Sequence, residues 1–344
     1  MLYFVLPVLY SDDRMSSKKN WIKSSETVAP LPLSPFRNDV LAGKVVLITG
    51  GATGIGYAIA ETFGKHGCKV AIMSRRKKVI MDAVQKLRNR GIDAFGTTVD
   101  VRDSQRCVNS VNEVAAHFGR VDYLVNNAAG NFMTPSESLT PNGLATVLGI
   151  DLQGCFHMSK ACLPHLKKVG PTTGAVIINI TAFLQDMCTP FQLHAASAKA
   201  GIDVMTNTLG VEWAEYGIRT VGLAPGGIAG TVGGPGGRVF GNNENKASTT
   251  AVGGANDDKM DFGEPKPSKV RRQGVPAGRW GRVEDVSLAA LYMCTDAASW
   301  ITATRLTIDG GSAHKVNGFV EAKNMIKRKS DMERAKFKGG VAKL

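Results

Sequence analysis

From residue 44 onward the chain alternates between short apolar runs and segments whose apolar residues recur every three to four positions. Val45-Val46-Leu47-Ile48-Thr49 is bounded by glycines and predicts a buried strand. Helical spacing follows over about 54–65, then a strand over 69–73, a helix over about 77–89, a strand near 94–99 and a helix over about 103–118. Tyr123-Leu124-Val125-Asn126 predicts a further strand. Long helical patterns over about 142–168 and 190–215 bracket a strand at 175–180, and strands at 218–223 and 304–308 follow. Strands that alternate with helices predict an α/β domain: one parallel sheet covered on both faces.

Two stretches break this rhythm, and an arm precedes it. Residues 1–40 are mixed and carry Pro30, Pro32 and Pro35 near their end, which predicts an extended arm. From Gly226 to Gly241 eight of sixteen residues are glycine, and a polar run continues to about 270. So long a loop within a packed domain predicts a lid, an insertion, or both, over about 232–270, before the last helix and strand. Its five basic and five acidic residues balance. The tail, 315–344, holds nine Lys/Arg against three Asp/Glu, a net charge of +6.

Composition narrows the picture. Of 344 residues 43% are hydrophobic, enough for a sizeable core, which excludes disorder throughout. The length alone suggests two domains, although one large α/β fold can use as much. No run of about 20 apolar residues predicts a membrane span. The apolar start Met1–Tyr10 lacks a basic flank and does not read as a cleaved signal; Met15 is an alternative start. Cys68, Cys107, Cys155, Cys162, Cys188 and Cys294 form no C-x-x-C pair, so buried free thiols are expected, with no disulfide framework and no metal site. The net charge of +13 allows nucleic acid, a membrane surface or anionic small molecules.

The first strand leads into Thr49-Gly50-Gly51-Ala52-Thr53-Gly54-Ile55-Gly56. Glycines between a strand and a helix permit a tight turn and close approach to a pyrophosphate, toward which the helix turns its positive end. The second strand ends in Met73-Ser74-Arg75-Arg76. An acidic residue there would accept a ribose 2′-hydroxyl, whereas a guanidinium pairs with a 2′-phosphate, which points to NADP(H). Asp100-Val101, after the third strand, suits an adenine contact.

These residues, together with Asn126-Asn127-Ala128-Ala129-Gly130 after the fourth strand, resemble the short-chain dehydrogenase/reductase family. Thr181, Lys199, Pro225-Gly226 and Asp309-Gly310-Gly311 match later landmarks in the same order, over about 41–312. The resemblance implies one doubly wound Rossmann domain that assembles as tetramers or dimers. Its NADPH site would comprise Gly50, Gly51, Thr53, Gly54, Ile55, Gly56, Arg75, Arg76, Asp100, Val101, Asn127, Ala128 and Lys199. Pro225, Gly226, Ile228 and Thr231 would fold over the nicotinamide and phosphates.

At the catalytic centre the chain departs from the family pattern. Four residues before Lys199, where the family's Tyr-x-x-x-Lys motif has its phenol, stands Ala195; none of the six tyrosines lies near by sequence. Asp151 replaces the family's active-site Asn. Lys199 and Asp203 are i and i+4 on one predicted helix and share a face. This combination resembles one subgroup, the peroxisomal 2,4-dienoyl-CoA reductases. The resemblance implies NADPH-dependent reduction of a 2,4-dienoyl-CoA to a 3-enoyl-CoA: hydride adds to the distal diene carbon, charge moves to the thioester oxygen, and a proton arrives at the α-carbon. Lys199 is expected on the nicotinamide ribose, with Asp203 and Asp151 orienting a proton-donating water. Arg75, Arg102, Phe132, Thr140, Pro141 and Asn142 are the expected substrate residues.

Ala342-Lys343-Leu344 resembles a C-terminal peroxisomal address, read by an import receptor. Three alternatives stay open. One is a peroxisomal trans-2-enoyl-CoA reductase, a group that carries tyrosine where this chain has Asp203. A 3-oxoacyl reductase is disfavoured by the absent phenol. The third is a non-catalytic NADP-binding scaffold. Nucleic acid is not an expected partner, because no basic stripe is interleaved with aromatics.

Overall fold

The computed structural model describes residues 34–231 and 275–314. Most of the arm, the 232–270 stretch and the tail with Ala342-Lys343-Leu344 lie outside these described residues. Seven strands form one sheet: β1 (Val45–Thr49), β2 (Lys69–Ser74), β3 (Ala94–Thr98), β4 (Tyr123–Asn126), β5 (Ala175–Ile180), β6 (Ile218–Pro225) and β7 (Thr304–Ile308). All pairs are parallel, and the order is β3-β2-β1-β4-β5-β6-β7. The winding reverses between β1 and β4, which opens a crevice beyond their carboxyl ends.

The helices are α1 (Gly54–Lys65), α2 (Lys77–Arg88), α3 (Ser104–Phe118), α4 (Pro141–Leu148), α5 (Gly154–Thr173), α6 (Leu193–Glu212) and α7 (Val283–Met293). Strand periodicity divides the core in two. Val46 and Ile48 of β1, with Val70 and Ile72 of β2, pack against Ile59 and Phe63 of α1, Val84 and Leu87 of α2, and Ala290 and Leu291 of α7. Val45, Leu47, Ala71 and Met73 face the other way, toward Val111 of α3, Met158, Cys162 and Leu166 of α5, and Leu209 of α6. This is the parallel sheet covered on both faces that the alternation predicts, doubly wound as the family resemblance implies.

Three expectations change. The helix predicted over 142–168 is two helices joined by a π-helical turn, Gly149–Gln153, and its second half continues to Thr173. The helix expected over 190–215 ends at Glu212 and tightens into a 3₁₀ turn, Ala214–Tyr216. Five of the six free cysteines are buried, but Cys188 is exposed, because the 181–192 segment runs over the surface after β5. At the amino-terminal side, Phe36 packs edge-on to His66, whose Nε2 is 2.8 Å from Ser34 Oγ. The last residues of the expected arm therefore lie against the domain. Among the described residues, no helix is long and apolar enough to cross a membrane, and no His/Cys/Asp/Glu group could hold a metal.

Candidate active site

The crevice is built first by the turn from β1 into α1. Gly50 and Gly54 adopt φ of +63° and +54°, a left-handed region open to glycine at little cost. A Cβ on Gly50 would lie 2.9 Å from Asn127 Nδ2, and one on Gly51 2.7 Å from Ile72 Cγ2, so neither position has room for a side chain. Gly56, in the first turn of α1, packs equally close to the Gly50 carbonyl. Thr53 precedes the helix in extended conformation and its side chain caps nothing. The first N–H groups of α1, including that of Ile55, are thus left for another acceptor. Thr231 stands over Gly54, with its methyl 3.7 Å from where a Gly54 Cβ would be.

Side chains lock this turn to β4. Thr49 Oγ1 accepts from the Asn127 and Ala128 N–H groups at 2.9 and 3.0 Å. Asn127 Nδ2 donates to the Thr49 and Gly50 carbonyls. On the neighbouring strands Arg75 and Arg76 follow β2 and are exposed. Asp100 accepts from Arg102 through Nε at 3.0 Å and through its backbone N–H, and the carboxyl is held below its ordinary range, chiefly by that guanidinium. The Arg102 charge is therefore spoken for by Asp100 here, although the two were expected to serve different ligands. Val101 is buried, and its carbonyl accepts from His157 Nδ1. These residues fit a dinucleotide: a glycine cradle, uncapped helix N–H groups and cations past β2.

Beyond β6 the chain folds back over the same end of the sheet. The N–H of Gly226, after Pro225, bonds to Ile308, and Ile228 is buried and bridges Gly281. Thr231 Oγ1 donates to the Ile228 carbonyl at 2.9 Å.

The catalytic candidates converge from three elements. Asp151 lies on the π turn, 2% exposed, and accepts from the Gly130 N–H at 2.6 Å. Lys199, on α6 and 8% exposed, places Nζ 3.3 Å from Asp151 Oδ2 and donates to the Ile180 carbonyl at 3.0 Å. Burial pushes the Asp151 carboxyl up, and the Lys199 ammonium opposes this. Ala195, where the phenol of the family motif would stand, is buried in the same helix. The four described tyrosines belong elsewhere: Tyr123 donates to Cys294, Tyr292 to Ala297, Tyr216 packs under Lys167 and Tyr57 sits in α1.

The i, i+4 spacing suggested a Lys199–Asp203 pair, and here the structure corrects the sequence. Lys199 pairs with Asp151, whereas Asp203 is engaged by Arg305 NH1 at 2.7 Å, by Thr181 Oγ1 at 2.8 Å and by Gln185 Nε2. Both side chains leave their helix face for partners on other elements. Sequence reading also missed Arg305 of β7, His194, Gln192 and Asn131. His194 is fully buried and stacks on Phe132, with the ring centroids 4.1 Å apart. Asn131 Nδ2 donates to Gln192 Oε1 at 2.6 Å. The adjacency of Asn131 to Phe132 and of His194 to Ala195 was the available signal.

The Phe132 ring lies near the start of α4: a Cβ on Gly143 would be 3.2 Å from both Phe132 Cζ and Thr140 Oγ1. Thr140 caps α4 by accepting from the Gly143 N–H, Pro141 takes the first turn, and the Asn142 carbonyl accepts from Thr146. The structure thus groups Phe132 with Thr140, Pro141 and Asn142; Arg75 follows β2, and the Arg102 stem lies beside Gly149 at the end of α4, with its Cδ 3.6 Å from where a Gly149 Cβ would be.

Comparison with known proteins follows the same lines. Residues 44–234 match the family model for short chain dehydrogenases. The chain is 41% identical over 287 residues to a peroxisomal 2,4-dienoyl-CoA reductase, (3E)-enoyl-CoA-producing, of Arabidopsis thaliana, covering 81% of this chain and 87% of that one. It is 34% identical to a probable 2,4-dienoyl-CoA reductase, (2E)-enoyl-CoA-producing, of Bacillus subtilis, covering 78% and 96%. Among solved structures, a 3-ketoacyl-(acyl-carrier-protein) reductase from Brucella melitensis complexed with NADH superposes with a TM-score of 0.66 at 27% identity, covering 79% of this chain and 99% of that one. With the seven-stranded order, the glycine cradle and the lysine on α6, the chain belongs to the short-chain dehydrogenase family of oxidoreductases.

Proposed function

We propose that the chain is a 2,4-dienoyl-CoA reductase that uses NADPH and releases a 3-enoyl-CoA. The observation that carries this reading is the absence of the phenol, where Ala195 stands, while the buried Lys199 is paired with the buried Asp151. A carbonyl reductase needs a hydroxyl at that point to protonate an alkoxide. A conjugated thioester does not: its charge is delocalised onto the thioester oxygen, and the proton goes to carbon. The relatives named as dienoyl-CoA reductases support the same choice.

NADPH, when bound, supplies the hydride that the distal diene carbon accepts. The Gly50–Gly56 turn and the α1 N-terminus would hold its pyrophosphate, Arg75 and Arg76 its 2′-phosphate, and Asp100 and Val101 its adenine. Asn127, Ala128 and the 225–231 segment would enclose the nicotinamide end. Lys199 has its ammonium fixed by Asp151 and the Ile180 carbonyl, so it would meet the nicotinamide ribose without reorganising. Asp151, buried beside that ammonium and held by the Gly130 N–H, would act with Asp203 in orienting the proton-donating water. Asp203, anchored through both oxygens, would orient the water that protonates the α-carbon. Phe132, Thr140, Pro141 and Asn142 would line the acyl-CoA, and Arg102 would exchange Asp100 for a CoA phosphate.

Turnover of 2,4-hexadienoyl-CoA and 2-hexenoyl-CoA, each with NADPH and with NADH, tests the reading by loss of reduced-nicotinamide absorbance. Turnover of the dienoyl thioester with NADPH alone is expected. Turnover of only the monoenoyl substrate would reassign the chain to the enoyl-CoA reductases, and cofactor binding without turnover would make it a scaffold. We further propose that the chain works in peroxisomes, through Ala342-Lys343-Leu344, and as a homo-oligomer, a tetramer or dimer.

A further inference from the structure

The acidic side chain expected to work with Lys199 is held by a cation from the last strand of the sheet. Arg305, on β7, places NH1 2.7 Å from Asp203 Oδ2 and NH2 2.6 Å from Asp186 Oδ2. Its side chain is 24% exposed, that of Asp203 19% and that of Asp186 37%, so the three charges sit at the edge of the site rather than in free solvent. Arg305 pairs in register with Gly222 of β6. A Cβ on Gly222 would lie 3.3 Å from Arg305 Cγ and 3.4 Å from its Cβ. The glycine thus leaves the arginine stem room beside β6 on its way to α6. One guanidinium joins β7, α6 and the segment after β5, where Asp186 closes a turn on Phe183.

The Asp203 carboxylate has two oxygens to fix. Thr181 holds Oδ1, while Arg305 and Gln185 hold Oδ2. Lys199 is one helical turn earlier, within the reach that i, i+4 spacing provides, but its charge is committed to Asp151. With Arg305 gone, Oδ2 would retain a single neutral donor, and rotation toward the Lys199 ammonium would be the compensating move. That rotation would draw the carboxylate away from its present seat and disturb the Lys199–Asp151 pair as well.

We propose that Arg305 is a positioning residue: it pins Asp203 where that carboxylate can orient the proton-donating water, and it keeps Asp203 off Lys199. The proposal rests on the role given to Asp203 above. It predicts that Arg305 matters to turnover through Asp203 alone.

The test is a double-substitution cycle in the full-length enzyme, with Arg305→Met, Asp203→Asn and both together, assayed with 2,4-hexadienoyl-CoA and NADPH. Arg305→Met is expected to lower kcat about ten- to hundredfold, with the KM values for both substrates within about twofold of the parent. Asp203→Asn is expected to lower kcat about a hundredfold or more. Adding Arg305→Met to Asp203→Asn should cost no further kcat, because the residue through which it acts is already disabled. Arg305→Lys should recover part of the loss, since it keeps a cation but not the fork that spans two carboxylates. NADPH titration by fluorescence, unchanged in each variant, shows that the site is folded. If Asp203→Asn is slow while Arg305→Met turns over like the parent, the positioning role is overturned and the reading of Asp203 stands. Equal losses from Arg305→Met in both backgrounds would also overturn it, by showing a general structural effect. If Asp203→Asn turns over normally, the catalytic reading of Asp203 falls, and this inference with it.

Discussion

Single side chains in this site are set by partners that sequence neighbours do not supply. Lys199 and Asp203 share a helix face, yet each binds a charge from a different element, Asp151 and Arg305. Spacing reports which Cβ atoms are adjacent; it does not report which distant charge wins the side chain. Arg102 is the opposite case: its guanidinium is held by Asp100, two residues earlier in the chain. The exposed Arg75 and Arg76 follow β2 at the place where a 2′-phosphate would sit. A charge-assisted hydrogen bond to an anion contributes about 1.5–3 kcal/mol, or roughly ten- to hundredfold in binding. The pair Arg75→Ala/Arg76→Ala is therefore expected to raise the KM for NADPH by at least about tenfold and to leave the KM for NADH nearly unchanged. Steady-state kinetics with each nucleotide checks this, and equal changes for both would place the 2′-phosphate elsewhere.

Elements that bury an apolar run were legible, and elements that answer to other forces were less so. The ends of β1, β4 and β5 coincide with the apolar runs that predict them, because a strand buried on both faces is apolar along most of its length. The π turn was not legible. It adds a residue to the helical repeat between α4 and α5, and no spacing rule marks it, although it is what turns Asp151 inward. α7 shows a further element whose placement depends on charge. It covers α1, with Thr62 Oγ1 2.8 Å from Ser287 Oγ, and so braces the helix that begins at the glycine cradle. Asp285 anchors its first turn, accepting from Arg279 through both oxygens and from the Arg282 N–H. Burial alone would raise the Asp285 carboxyl, but these donors outweigh it and hold the group below the ordinary value. A depressed folded-state pKa stabilises above the unfolded value of about 4 and loses that contribution as pH falls through the folded value. Asp285→Ala is thus expected to cost about 1 kcal/mol at neutral pH, discounted for the half-exposed arginine. That corresponds to a fall in Tm of about 2–4 °C. The deficit should shrink as the pH is lowered below about 4, which thermal melts of both proteins across pH 3–7 would show. A deficit constant with pH would mean that Asp285 acts by packing rather than by charge.

At the scale of the whole molecule, the charge of +13 divides unevenly, and its distribution separates address from chemistry. The seven-stranded sheet, the two core layers and the catalytic candidates described above lie within residues 34–231 and 275–314. The tail adds +6 in thirty residues and ends in Ala342-Lys343-Leu344. Such a tripeptide is read by a receptor from the terminus itself, so its effect should transfer with the terminus and vanish with it. None of the residues assigned above to cofactor, substrate or proton transfer lies in the tail. Deleting Ala342-Lys343-Leu344 is accordingly expected to leave purified turnover of 2,4-hexadienoyl-CoA unchanged while abolishing organelle import. A fluorescent protein carrying residues 325–344 at its own C-terminus should become punctate and coincide with a peroxisomal marker. The same fusion lacking the last three residues should stay diffuse. Import of both fusions would put the address elsewhere in the tail. A punctate signal from neither, with the full chain still imported, would point to carriage by an oligomeric partner or to a second address.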